Sequence, residues 1–341
     1  MNILVTGCAG FIGYFLCKKL LQDKENRIFG IDNLNDYYDI SLKNERLNQL
    51  LKYNNFIFYK MDISDKNELE DLFKENNFDY VINLAAQAGV RYSIDHPDIY
   101  IKSNIVGFYN ILEVCRYSNI KHLVFASSSS VYGGNKKIPF SVNDKVDNPV
   151  SLYAATKKSD ELLAYSYSKL YDIPVTGLRF FTVYGPMGRP DMAYFSFTNK
   201  LVNNQTIEIF NYGNCKRDFT YIDDIVDGII KVMHKVPPKI INNDGDVMPP
   251  YKVYNIGNNH PENLLDFVNI LSEELIKANV LDSSFDLNSH IRLIPMQKGD
   301  VAITYADVSE LENDFGFKPT TSLRDGLRYF AKWYHDFYIK K

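Results

Sequence analysis

Cysteine is scarce and unpatterned in this 341-residue chain. Cys8, Cys17, Cys115 and Cys215 stand far apart, with no CxxC pair and no Cys/His spacing of a metal site. That argues against a disulfide framework and against any bound metal, and it predicts buried, inert thiols in a reducing cytosol. No apolar run approaches the ~18–20 residues that span a bilayer. The opening Met1-Asn2-Ile3-Leu4-Val5-Thr6-Gly7 has no basic segment ahead of an apolar one, so it does not read as a signal peptide. A cytoplasmic protein that meets no membrane is expected. Positive charge is not in excess: the formal net charge is −4. No basic patch or stripe is visible, which argues against a nucleic-acid partner. An anionic ligand must therefore be held by a few local Arg and Lys side chains and backbone N–H groups.

With 45% hydrophobic and 23% charged residues, the chain has the make-up of a globular protein. Short apolar runs at Ile3–Val5, Ile28–Ile31, Phe56–Tyr59, Tyr80–Leu84 and His122–Phe125 read as strands. Helical patterns lie between them, at about Ile12–Gln22, Lys66–Glu75 and Ile99–Ser118. Buried strands alternating with helices predict an α/β fold, a doubly wound parallel sheet of the Rossmann type. Beyond about Thr182 the rhythm loosens. Gly185-Pro186, Arg189-Pro190 and Pro237-Pro238 punctuate loops, Asn242–Pro250 reads as an exposed loop, and Leu323–Tyr338 reads as a closing helix.

Gly7, Gly10 and Gly13 form G-x-x-G-x-x-G between the first strand and the first helix. Glycines permit a tight turn and close approach of a pyrophosphate, and the helix N-terminus offers unpaired N–H groups. Asp32 closes the second strand, where a carboxylate accepts hydrogen bonds from adenosine ribose hydroxyls and repels a 2′-phosphate. Together they predict a dinucleotide site that prefers NAD to NADP. Residues 1–181 are expected to form the dinucleotide-binding part. Residues 182–341 are expected to form a smaller substrate-binding part, interleaved with the first.

Tyr153 and Lys157 are four positions apart in Ser151-Leu152-Tyr153-Ala154-Ala155-Thr156-Lys157, which puts them on one face of a helix. Free tyrosine, with a pKa of about 10, is a poor base at neutral pH. A neighbouring ammonium favours its phenolate. Upstream, Ser127-Ser128-Ser129-Ser130 follows a strand, and in an open α/β sheet ligands bind at the carboxyl ends of strands.

In this order, the glycine fingerprint, serine cluster and Tyr-x-x-x-Lys resemble the extended short-chain dehydrogenase/reductase family over nearly the whole chain. Within it, three segments are similar to UDP-glucuronate 4-epimerases: Asp32–Asp39, Ala85–Ser93 and Arg179–Ala193. The resemblance implies a catalytic triad of Ser128, Tyr153 and Lys157. It implies a tightly held NAD contacted by Gly7, Gly10, Phe11, Ile12, Gly13, Asp32, Asn33, Asp62, Ile63, Leu84, Ala85, Ala86, Gln87, Asn104, Tyr153, Lys157 and Phe180. UDP contacts map onto Arg217 and Asp300, with Arg189 near the phosphates. The sugar carboxylate falls to Ser128, Ser129, Ser130 and Thr182. A homodimer through the helices at about Ile99–Ser118 and Tyr153–Tyr171 is a further implication. Related 4,6-dehydratases and decarboxylases carry acids where Ser129 and Ser130 stand, so those activities are disfavoured. A neutral-sugar UDP-galactose 4-epimerase, which usually has Asn in place of Thr182, is the stronger rival. A non-catalytic NAD sensor is the rival of another class, and the intact Tyr153 and Lys157 argue against it.

Overall fold

Strand β1, Asn2–Thr6, points Ile3 and Val5 into one apolar cluster and Leu4 into another. The same two-sided alternation runs through β2 (Arg27–Asp32), β4 (Tyr80–Asn83) and β5 (His122–Ser128): Ile28, Ile82 and Val124 face the first cluster, while Phe29, Val81, Leu123 and Phe125 face the second. Successive strand side chains project to opposite faces, so a sheet apolar on both must be covered on both. With β3 (Phe56–Lys60), β6 (Val175–Phe180) and β7 (Tyr251–Ile256), these strands form one seven-stranded sheet of order 7-6-5-4-1-2-3, every pair parallel. This computed structural model describes residues 1–242, 244–296 and 303–340. The expected doubly wound α/β fold is present.

Helices Phe11–Leu20 and Ile40–Leu50 cover the first face, joined by Ile222–His234 from the second half of the chain. Lys66–Glu75, Gly107–Arg116 and Leu152–Tyr171 cover the other. The helix expected over Ile99–Ser118 is interrupted: Pro97–Tyr100 is α-helical, Ile101–Val106 is a π-helical turn, and the α-helix resumes at Gly107. Asn242–Pro250 is less irregular than expected, because Ile240–Ile241 pairs antiparallel with Val247–Met248 around it. Beyond Thr182, a small sheet of Thr182–Tyr184, Lys216–Tyr221 and Pro261–Asn263 supports helices Ala193–Val202, Leu264–Lys277 and Leu323–Tyr334. The closing helix continues as a π-helical turn over His335–Ile339. Its core is continuous with that of the first face. Among the described residues no helix is long and apolar enough to cross a membrane.

His122 is wholly buried on β5 between the two halves. Its Nδ1 lies 3.0 Å from the Met233 carbonyl and its Nε2 2.8 Å from the Thr176 hydroxyl. Those partners suit a neutral ring that donates from Nδ1 and accepts at Nε2. Burial lowers its pKa to about 4, against a smaller opposing effect of the Met233 carbonyl. As pH falls below the ordinary histidine value of about 6.5, the unfolded chain takes up a proton that the folded chain refuses. Stability is therefore lost between about pH 6.5 and about pH 4, by about 3 kcal/mol from this residue. An NMR titration of the His122 ring should find a midpoint near pH 4. A midpoint at the ordinary value would contradict this account.

Candidate functional site

The chain leaves β1 toward β2 and β3 and later returns to β4 on the other side, so the sheet order reverses between β1 and β4. Ligands of open α/β sheets bind at such a point, beyond the carboxyl ends of the strands. A cleft enclosing about 1430 Å³ of empty space, its open mouth included, lies there. Thr6 at the end of β1 donates to Asn83 at the end of β4 (2.7 Å) and accepts from the Ala85 N–H (3.1 Å), which fixes the two lips.

The glycine turn is tight enough to demand its sequence. Gly7 has φ +70°, and a Cβ there would sit 2.9 Å from the Ala85 nitrogen. A Cβ on Gly13 would come within 2.1 Å of the Gly7 carbonyl oxygen. No side chain caps the helix at Gly10, so its first-turn N–H groups remain for a ligand, and Gly10, Phe11, Ile12 and Gly13 all line the cleft. Asp32 accepts from the Ala9 N–H (3.1 Å) and the Leu34 N–H (2.8 Å) and also lines the cleft. A carboxylate has about four acceptor sites, so both of its oxygens can take more. Asn33 reaches Asp62 (3.2 Å). Burial works to raise the Asp62 carboxyl, but hydrogen bonds from Ser64 and Asn33, with Lys102 nearby, hold it below the usual range. Asp62, Ile63 and the Leu84–Gln87 segment complete this wall. The cradle closed to any Cβ, the uncapped helix start and the carboxylate at the end of β2 fit a dinucleotide.

Tyr153 and Lys157 project from helix Leu152–Tyr171 into the same cleft, opposite Ser128 and Phe180. Ser151 caps that helix, accepting from the Ala154 N–H at 3.1 Å. Lys157 donates to the Ala126 carbonyl (2.9 Å) and to Asp160 (3.1 Å). The Tyr153 ring meets Tyr100 edge-on, centroids 6.1 Å apart. Ser128 Oγ accepts from the Ser130 N–H (3.1 Å) and donates to the Ser130 hydroxyl (3.2 Å). Thr182 stands two residues beyond Phe180, the register partner of Ser128 on the neighbouring strand.

Arg189 also lines the cleft, where two of its N–H groups grip Asp191 at 3.1 and 2.5 Å, and Tyr37 donates to the same carboxylate (3.2 Å). Ser129, Ser130 and Thr182 flank the cleft without lining it, and Arg217, on the Lys216–Tyr221 strand, does not line it either. Asp300 lies outside the described residues. Asn104 is buried behind the wall, with its amide spent on Gln87 (N–H to its oxygen 2.8 Å, carbonyl to its nitrogen 3.0 Å) and on Thr156 (3.0 Å). Arg91, another residue of the Ala85–Ser93 segment, packs over the Phe210 ring at 5.1 Å.

Several supporting residues escaped the sequence reading. Tyr100 holds the turn after Gln87 by its hydroxyl, donating to the Ala88 and Gly89 carbonyls (2.9 and 2.6 Å). Arg46, wholly buried, donates to Ala9 (2.9 Å), Met187 (2.6 Å) and Gly188 (3.1 Å) carbonyls, joining the glycine turn to the segment before Arg189. Asp160 and Glu161 are acids three and four positions after Lys157 on its helix, and that spacing was the available signal.

The sequence profile of the NAD dependent epimerase/dehydratase family matches residues 3–257. The chain belongs to that family. Among its relatives, Protein CapI of Staphylococcus aureus is 49% identical, over 100% of both chains. UDP-glucuronate 4-epimerase 4 of Arabidopsis thaliana is 45% identical, covering 99% of this chain and 76% of the relative. Among solved structures of this epimerase/dehydratase family, the UDP-glucuronic acid 4-epimerase of Bacillus cereus, in complex with UDP-glucuronic acid and NAD, superposes with a TM-score of 0.85. It is 32% identical, covering 99% of this chain and 100% of that one.

Replacing Gly13 by Ala should force the helix off the glycine turn, because a backbone oxygen blocks the new methyl group. Overpacking of this kind costs about 1–3 kcal/mol. We expect a lower melting temperature and at least about tenfold weaker dinucleotide binding by calorimetry (1.4 kcal/mol is tenfold). Parent-like binding would show that the close approach is relaxed in solution.

Proposed function

We propose that this chain interconverts UDP-glucuronate and UDP-galacturonate by transient oxidation at C4, as a UDP-glucuronate 4-epimerase. The observation that carries this reading is the meeting of Ser128, Tyr153 and Lys157 with the glycine turn and Asp32 in one cleft. NAD, when bound, supplies a hydride acceptor that then serves as the donor. Gly7, Gly10, Phe11, Ile12, Gly13, Asp32, Asn33, Asp62, Ile63, Leu84–Gln87 and Phe180 would hold it. Asn104 would act one step behind, by fixing Gln87. Tyr153, as phenolate, takes the O4 proton and gives it back to that oxygen as the C4 ketone is reduced to the alcohol of opposite configuration. Lys157 stabilises the phenolate, and Ser128 donates a hydrogen bond to O4. Proton transfer of this kind contributes about 10²–10⁴-fold.

Arg189, Arg217 and Asp300 would anchor UDP, which leaves the sugar ring free to present either face of C4. Ser129, Ser130 and Thr182, with Ser128, would hold the carboxylate. Oxidation at C4 makes a β-keto acid that loses CO2 when the breaking bond stands perpendicular to the carbonyl plane, so these hydroxyls guard the intermediate. Residues 1–181 serve mainly the dinucleotide and 182–341 mainly the nucleotide sugar, with Ile222–His234 and β7 crossing back. Val106 and Tyr109 on one helix and Leu162, Tyr165 and Leu170 on the other are large apolar side chains left exposed. They support a homodimer through these two helices. Four buried free thiols suit work in the cytosol.

Purified protein mixed with UDP-glucuronate, with no NAD added, should give UDP-galacturonate by NMR. Tyr153→Phe should lose about 10²-fold or more in kcat while UDP binding stays near that of the parent. Absence of any UDP-galacturonate, with conversion of UDP-glucose to UDP-galactose instead, would refute the uronate reading. Near-normal kcat in Tyr153→Phe would remove that residue from its role.

A further inference from the structure

Asp160 has no part in the chemistry described so far, yet its side chain is only 1% exposed and that of its partner Lys157 only 3%. Its Oδ2 accepts from the Lys157 ammonium at 3.1 Å. Its Oδ1 is equally buried and accepts no hydrogen bond. On helix Leu152–Tyr171, Asp160 follows Lys157 by three positions and Tyr153 by seven, so all three side chains share one face. Two of the three Lys157 donors are spent on Ala126 and Asp160, which leaves one for the cleft.

We propose that Asp160 is a positioning residue that sets the charge Tyr153 feels: ionised, it offsets the Lys157 ammonium, and protonated, it leaves that positive charge whole. The inference rests on the roles proposed above for Tyr153 and Lys157. An unpartnered, buried carboxyl oxygen leaves the carboxylate short of hydrogen bonds, which favours the neutral acid. Burial pushes the Asp160 carboxyl up to about 7, against the opposing pull of Lys157 and with a smaller upward push from Glu161. The charged groups facing it are Lys157 and Glu161 of its own helix. Glu161 is itself bound by Lys158 of that helix, by Arg179 of β6 and by the Ser127 hydroxyl of β5. Burial thus brings the change of charge at Asp160 toward neutral pH. Below about pH 7 the pair carries a full positive charge that favours the Tyr153 phenolate, and above it the pair is nearly neutral. The two titrations oppose one another, and the acid side of the rate profile is broadened.

Asp160→Asn keeps the shape and the acceptor for Lys157 but removes the titration. Two helical turns separate positions 153 and 160, roughly 10 Å. A unit charge at that distance and an effective dielectric near 20 shifts a titration by about one pH unit. The acid limb of kcat/KM against pH for UDP-glucuronate should therefore steepen in Asp160→Asn and move lower by a fraction of that unit, because Asp160 is ionised over only part of the limb, while Asp160→Glu keeps the broad parental limb. Loss of packing alone would scale kcat/KM by one factor at every pH. Asp160→Ser, smaller and neutral, serves if the amide variant does not fold. A neutral variant whose acid limb overlays that of the parent overturns the proposal, provided that Tyr153→Phe is inactive. If Tyr153→Phe is active, the reading of the site itself has failed.

Discussion

Glu161 and Arg179 form a charge pair taken almost wholly out of water, and the geometry of the cleft hangs on it. Two parallel bonds join them, at 2.8 and 2.9 Å. Glu161 also accepts from the Ser127 hydroxyl (2.7 Å), and Arg179 donates to the Tyr132 hydroxyl (3.0 Å), which donates in turn to Asn255 (2.6 Å). One network thereby fastens helix Leu152–Tyr171 to β5, β6 and β7 at the level of Ser128. Burial works to raise the Glu161 carboxyl, but hydrogen bonds from Arg179 and Ser127 hold it below the usual range. Buried pairs of this kind gain little net stability over apolar residues, but removing one partner leaves a charge stranded and costs about 3–5 kcal/mol. The return here is geometric: Tyr153 and Lys157 on the helix face Ser128 on the strand in fixed register.

A second constraint joins the halves of the chain. Arg46 inserts a planar cation among the carbonyls of Ala9, Met187 and Gly188, and a rigid fork of donors suits that task better than a flexible ammonium. The glycine turn of the first half and the Arg189 segment of the second are then set relative to one another. The helices Phe11–Leu20 and Ile222–His234 share an apolar core, with Lys19 and Asp227 paired at its rim. The parts of the cleft that come from the two halves of the chain therefore belong to one framework, as a reaction needs when reactants must be aligned closely.

The parallel sheet was legible because each early strand is a short apolar run and each connection a helix. The meeting of Tyr153 and Lys157 in one cleft was legible because the two are local on one helix. Helix Ile40–Leu50 was not, since Lys43, Asn44, Glu45, Asn48 and Gln49 break its apolar stripe and its packing is set by Arg46 reaching distant carbonyls. The place of β7 beside β6 depends on long-range pairing that no local pattern carries. Asn104 marks the limit of resemblance: its position is near the cofactor wall, but its amide is consumed by the backbone it braces. A motif fixes a residue's neighbourhood, and folding decides what its side chain still has free.

The central claim is that the hydrogen on C4 is removed and returned within one cleft. UDP-glucuronate carrying deuterium at C4, converted in ordinary water, tests it most directly. The account predicts UDP-galacturonate with the deuterium still on C4, by NMR and mass spectrometry. Product in which that deuterium has been exchanged for solvent hydrogen would contradict it.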